Sequence, residues 1–450
     1  MVMTNARRDG LYLLLMGSLT FMLLGAAWEN AASAPLLDFR ALYYPARCLL
    51  QHCDPYNASD VLRVYQAEGV YGSLDTAKQR IMTTRYGYLP TAFSFTVPFA
   101  MLPWGPAHLL WMALTVASLI FASYLIWHLG ANYAPIISGF LIGFLLANSE
   151  TLVMQGMCAG IAISLCVVAV WCFFQERFIA AGILCLAVSL AVKPQDTGLV
   201  WLYFLLAGGV YRKRALQTLV VAVAFCLPSV LWVWRVAPHW IQELHSNILA
   251  FSAHGGINDP GPASSGAHGL AMVINLQEVI SVFRDDPRIY NLASYLICAP
   301  LLLVWMFATL RFRPSPRRTW LALAAIAPLT MLPFYHRQYD AKLLLLAVPA
   351  CALLWAEGGL IGRLALLVTA AGFVFNGDIF MAIVISITSH LPATVLSGQI
   401  QAVALVFPVP LILLVMSVFY LWAYVRSCSV HAPSQTLLSH AVSLEIKGTE

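Results

Sequence analysis

The chain has 450 residues, of which 60% are apolar and only 10% charged, with a mean hydropathy of +0.78. Soluble domains carry roughly 25% charged residues, so these few charges cannot coat a water-exposed surface, and the composition excludes a soluble globular protein. The net charge of +5 comes without any basic tract interleaved with aromatics, so no nucleic-acid partner is expected.

Arg7 and Arg8 precede a first apolar run over 11–28. Ala32-Ser33-Ala34 resembles a signal-peptide cleavage pattern, but Pro35 directly after it disfavours cleavage. At ~1.5 Å per residue the run is long enough to span, and it is read as a retained first helix. Further apolar runs, bounded by charge, Pro or Gly, cover 106–129, 136–149, 157–175, 178–192, 196–211, 215–234, 290–310, 319–335, 341–356, 361–375 and 402–425. The expected fold is therefore an all-α polytopic membrane protein with about a dozen spans, between 10 and 13.

Orientation follows from the placement of Lys and Arg. Arg7-Arg8, Arg212-Lys213-Arg214, the stretch from Arg311 to Arg318, and Arg426 are expected in the cytoplasm. Counting crossings between them works only if 89–103, a short segment with three prolines, does not cross. It is read as a re-entrant or interfacial helix, which must be satisfied against protein or a wet cavity. The first extracytoplasmic loop then runs over 29–105 and a second over 235–289. The Gly-, Pro- and Ser-rich part of the second, 255–269, is a lid candidate. One membrane domain is expected over 1–426, followed by a cytoplasmic, disordered tail over 427–450. No internal repeat is evident.

Of the ten cysteines, Cys158, Cys166, Cys172, Cys185, Cys226, Cys298 and Cys351 lie in apolar runs, where free Cys packs as a small hydrophobe. Cys48 and Cys53 lie in the first polar loop. They could bridge if the chain bends between them, but the obvious turn, Asp54-Pro55, comes only afterwards.

Several polar residues stand at the outer ends of apolar runs. Asp38, about ten residues beyond the first run, could be a general base at the membrane surface or the N-cap of a short helix; the residues alone leave both open. Arg85 and Tyr88 close the first loop. Lys193 sits at a helix break fixed by Pro194, and a charge so placed is costly and often functional, although it could also snorkel. His336 and Arg337, in an aromatic stretch from Phe334 to Asp340, offer positive charge for an anionic group, or belong to an aromatic belt. Gln155-Gly156 offers a hydrogen-bonding side chain beside a residue that permits close approach.

In order, Asp38-Phe39 followed by Tyr43-Tyr44, Asp54-Pro55-Tyr56, Tyr86-Gly87-Tyr88-Leu89-Pro90, Gln155-Gly156, Lys193-Pro194 and the His336 stretch resemble the pattern of glycosyltransferase family 87. The resemblance runs from about Leu11 to Ala356. It implies a GT-C-like bundle with a large first extracytoplasmic loop. It also implies transfer of a hexose, mannose above all, from a polyprenyl phosphate to a glycolipid or glycan acceptor on the extracytoplasmic face, in a bacterial plasma membrane. Asp38 matches the family's catalytic base, and Arg85, Tyr88, Gln155, Lys193, His336 and Arg337 are the expected donor-binding residues. One departure is that 264–269 reads Ser-Ser-Gly-Ala-His-Gly where the family often has Asn-Gln-Ser. There is no DxD motif of the kind that holds a metal-bound diphosphate, so neither metal nor cofactor is expected.

Two other classes compete. A transporter or flippase of lipid-linked sugars predicts repeats and charges near mid-bilayer, whereas the charges here gather at the outer ends. A purely structural membrane protein has no need for Asp38 and several cations on one side.

Overall fold

The computed structural model describes residues 4–32, 35–68, 77–261, 273–390, 403 and 408–429. In chain order the helices are α1 Asn5–Ala31, α2 Leu37–Leu50, α3 Ala58–Ala67, α4 Ala77–Thr84, α5 Phe93–Ala100, α6 Trp104–Gly130 and α7 Pro135–Leu146. These are followed by α8 Glu150–Gln155, α9 Ala159–Gln175, α10 Ile179–Val192, α11 Pro194–Ala207, α12 Gly209–Val236, α13 Trp240–Ser252 and α14 Leu276–Phe283. The last are α15 Pro287–Arg311, α16 Pro316–Met331, α17 Val348–Glu357, α18 Gly359–Phe375, α19 Asp378–His390 and α20 Val409–Ser429. Short 3-10 helices, Pro90–Ala92 and Gln338–Ala347, lead into α5 and α17. The described residues contain no strand, only one antiparallel bridge between Val273 and Arg337.

The protein is an all-α polytopic membrane protein. Every apolar run singled out in the sequence falls on helix, the last in its described part. By length and composition, six helices among the described residues can cross a membrane, or seven if the pair Gly359–Phe375 and Asp378–Ile387, bent by 60°, counts as one. This is fewer than a dozen because α7, α9 and α10 are apolar but short. Gly208 also divides what reads as one run over 196–211 between α11 and the start of α12. The 264–269 stretch, Ser33-Ala34 and the tail over 430–450 lie outside the described residues.

Arg7, Arg214, Arg317 and Arg318 gather at one end of the bundle. Arg7 donates to Asn132 Oδ1 at 2.7 Å, Arg214 lies 3.5 Å from Glu176, Arg317 forks onto Glu357 at 2.7 and 2.9 Å, and Arg318 reaches Ser427 O. Lys193, Asp340, Asn148 and Asp378 meet one another's neighbourhoods at the opposite end. The chain therefore alternates between two chemically distinct ends.

Two close approaches hold α1 against α7. A Cβ on Gly139 would fall 2.0 Å from Gly10 O, and one on Gly17 would fall 2.2 Å from Gly143 O. Gly139 and Gly143 are four apart, so they share a face and let the two backbones touch where apolar burial against lipid provides no drive. At the centre, α16 is buried from Thr319 to Met331, as is the whole segment Gln338–Ala347.

The first loop is mostly helix. Among its buried residues, α2 carries Phe39, which stacks on Trp111 (4.3 Å between centroids) and Trp104 (5.5 Å) at the start of α6. Tyr43 Oη donates to Leu102 O and Arg47 to Ala100 O, both at 2.8 Å, tying α2 to the segment after α5. The eight residues of α5 rise only ~12 Å, too short to cross. Cys48 and Cys53 form a disulfide, with Cα atoms 5.1 Å apart. The bend that permits it comes at Gln51–His52, where His52 adopts a left-handed φ of 59°, ahead of Asp54-Pro55.

Candidate active site

A cavity of about 310 Å³ opens between the first loop, the α10–α11 break, α13 and the segment before α17. Asp38, Arg85, Tyr88, Lys193 and Arg337 all line it.

Asp38 gets there by the way α2 begins. The N-cap is Leu36, in a left-handed conformation (φ 53°), without any side-chain cap. Leu36 N–H donates to Met154 O at 2.8 Å, which pins the start of α2 to the end of α8. Asp38 lies in the first turn and does not cap the helix, so its carboxylate is left to face the cavity. Among the described residues it makes no hydrogen bond or ion pair. Burial raises its pKa to about 6, against the opposing pull of Arg337 and Lys193.

Lys193 caps α11 with its backbone and is 2% exposed. Its ammonium lies 3.2 Å from Asp196 and forms a closer ion pair with Asp340. Asp340 also accepts from Arg337 N–H at 2.9 Å. The Arg337 guanidinium donates to Ile257 O (2.6 Å), to Asn258 Oδ1 (3.1 Å) and to Tyr335 Oη. The segment leading into Arg337 is held from the other side, where Ile274 N–H donates to His336 O and Leu276 N–H to Leu332 O, each at 3.0 Å. Arg85 is half-buried and makes no ion pair among the described residues. Tyr88 Oη lies near two sulfurs, Met157 (3.6 Å) and Cys158 (3.8 Å), and Tyr56 Oη donates to Tyr88 O.

Two expected donor-binding residues lie outside the lining. His336 is fully buried behind Lys193, with Nε2 3.3 Å from Asp196 and Nδ1 3.2 Å from Phe334 O, so it supports the ion-pair cluster. Gln155 sits at the end of α8, and its neighbour Gly156 carries the packing. Gly156 has φ 66°, accepts from Trp111 Nε1 at 2.8 Å, and a Cβ there would meet Leu36 at 2.5 Å and Phe39 at 2.9 Å. Gly156 thus seats α2, and with it Asp38, and neither residue lines the cavity. Tyr335, Tyr339, Asn258 and Phe251 also line the cavity, and sequence reasoning passed over them as individual site residues. The aromatic density of 334–339 was the available signal for two of these.

Behind this cluster lies a second buried polar group. Asp378 accepts from Thr151 N–H at 2.6 Å, Gln338 bridges Asn376 O and Asp378, and Lys342 donates to Asn148 O at 3.0 Å. Burial and the neighbouring Asp378 push Glu150 up to about 8. Next to Asn258 in the chain, Asp259 meets His254 and Asp285, with their possible ligand atoms within 4.8 Å of one another. Asp259 already accepts from Gly255 and Gly261 N–H, so its carboxylate closes the turn that presents Asn258.

Fold and site together define an integral membrane protein with a carboxylate and three cations around one cavity at one end of the bundle. The model of glycosyltransferase family 87 matches residues 86–332, more than half of the chain. The chain belongs to glycosyltransferase family 87 and is a membrane glycosyltransferase. No curated protein and no solved structure matches it significantly.

Proposed function

We propose that this enzyme transfers a hexose, mannose by the family resemblance, from a polyprenyl phosphate to a hydroxyl of a glycolipid or glycan, with Asp38 as general base. The observation that carries the proposal is the Asp38 carboxylate, with no hydrogen bond or ion pair among the described residues, in a cavity shared with Arg85, Lys193 and Arg337. The acceptor O–H gives its proton to Asp38 while its oxygen bonds to the anomeric carbon. The bond from that carbon to the phosphate oxygen breaks, and polyprenyl phosphate leaves with the electron pair. Phosphate is a good leaving group, so no general acid is required. Preplaced guanidinium groups stabilise its developing charge. A single displacement inverts the anomeric centre.

The cavity is assigned to the extracytoplasmic side. The basic end of the bundle is the opposite one, as the positive-inside rule favours, and a disulfide at the cavity end suits an oxidising compartment. Arg337 and Arg85 are the better candidates for phosphate. Lys193 already faces two carboxylates and sets the field at one wall. The test is a transfer assay on the purified protein with polyprenyl phosphate mannose and membrane glycolipid acceptors, with the anomeric configuration of the product read by NMR. A product with the inverted linkage supports the reading. Failure to use any polyprenyl phosphate sugar, with use of a nucleotide sugar instead, contradicts it.

A further inference from the structure

Far from the cavity, at the basic end, a groove of about 880 Å³ runs between α10 and α12. Ala180, Ile183 and Leu184 form one wall, and Leu216, Val220 and Val221 the other. Its lining on α12 recurs at Gly209, Arg212-Lys213, Leu216-Gln217 and Val220-Val221, the three-to-four spacing of one helical stripe. At ~1.5 Å per residue, the stripe from 209 to 221 is about 18 Å long. One leaflet's hydrocarbon is half of a ~30 Å core, about 15 Å. From Lys213 to Val221 the stripe rises about 12 Å, so beyond its cations the groove covers most of one acyl layer.

Its chemistry is ordered along that length. Arg212 and Lys213 stand at the basic end, Gln217 lies about a turn further in, and only apolar side chains follow. This is the order of a phospholipid: phosphate, ester carbonyls, chains. The neighbouring Arg214 is used differently. It turns inward, donates to Phe173 O at 2.9 Å and lies 3.5 Å from Glu176. Arg212 donates through Nε to Leu205 O at 3.1 Å, and no carboxylate among the described residues lies within ion-pair distance of Arg212 or Lys213. Leu216, Val220 and Leu184 are about half exposed or more, 49%, 69% and 52% respectively.

We propose that this groove binds one anionic phospholipid of the cytoplasmic leaflet, its phosphate on Arg212 and Lys213 and one chain between α10 and α12. Basic pockets between membrane helices on that side hold anionic headgroups on the same principle. The site is separate from the transfer cavity and does not depend on how the donor is bound.

Native mass spectrometry of the full-length protein, released from phosphatidylcholine nanodiscs doped with phosphatidylglycerol, tests this directly. One retained phosphatidylglycerol per chain is expected, enriched on the order of thirtyfold over phosphatidylcholine, as two cations worth ~1 kcal/mol each imply. The double substitution R212Q/K213Q should remove the enrichment. Leu216→Trp, which keeps both cations but fills the groove, should lower retention of either lipid, and inorganic phosphate should displace neither. Retention of the two lipids in bulk proportion by the unaltered protein overturns the proposal. So does undiminished enrichment in a folded R212Q/K213Q protein.

Discussion

Lys193 and Asp340, 147 residues apart, form an ion pair that joins the α10–α11 break to the segment before α17 at the cavity wall. The second oxygen of Asp340 receives the N–H of Arg337, so one carboxylate sets the spacing between two of the cavity's cations. Removing one partner of a buried pair strands the other charge, at a cost of about 3–5 kcal/mol. Lys193→Ala leaves Asp196 and Asp340 facing each other, so it should lower the melting temperature sharply as well as activity. Lys193→Met combined with Asp340→Leu should recover much of the stability but not the activity. Calorimetry of the three proteins in one detergent checks this.

Arg85 is the cavity cation least committed to the protein. Arg85→Gln should raise the KM for the polyprenyl phosphate donor by about 10- to 100-fold, the loss of a charge-assisted hydrogen bond. The acceptor KM and the thermal transition should hardly move. Steady-state kinetics with each substrate varied in turn separates these effects.

The pH dependence follows from Asp38. Its pKa is raised to about 6, and a base must be ionised to work. The rate should therefore rise through pH 6 to a plateau near neutrality. The linkage to stability has the opposite sign. A carboxyl whose folded value lies above its unfolded 3.8 stabilises the fold below that value and loses the contribution as pH rises through about 6. Asp38→Asn should flatten the acidic limb of the rate profile and modestly raise the melting temperature at pH 7–8, with no gain below pH 4. An acidic limb that survives unchanged in the Asp38→Asn protein would show that Asp38 is not the titrating base.

Topology can be tested with single cysteines in a background lacking the native ten. A cysteine at Arg63, on the exposed face of α3, should react with an impermeant thiol reagent in intact cells, and one at Lys213 only after permeabilisation. The reverse pattern would place the cavity on the cytoplasmic side.

The helical architecture was legible because apolar runs bounded by charge, Pro or Gly report membrane helices directly. That Asp38, Arg85, Tyr88, Lys193 and Arg337 line one cavity was foreshadowed by their places at or beside the ends of such runs, where a charge such as Lys193 is costly. What the sequence did not carry is tertiary. Whether Asp38 caps a helix or faces a cavity depends on Leu36, whose left-handed backbone is pinned to Met154 in α8. That Lys193 is neutralised by Asp196 and Asp340 depends on a contact between distant segments. His336 looked like a ligand group because it lies beside Arg337, but successive residues of an extended stretch point opposite ways, and it is the one turned inward. Gly156 likewise read as room for a ligand, and the room is taken by Leu36 and Phe39. The Cys48–Cys53 bridge was left open because no turn-forming residue marks His52.

The transfer rate of purified Asp38→Asn protein decides whether Asp38 is the base. Asn keeps the shape of the side chain, and Asp38 neither caps α2 nor pairs with another described residue, so folding and membrane insertion should be intact. Asn cannot accept the acceptor's proton. A general base contributes on the order of 10²–10⁴ in rate. A loss of that size in kcat is expected, with donor binding retained. Near-normal turnover by the folded Asp38→Asn protein would contradict it and move the base to another group on the cavity wall.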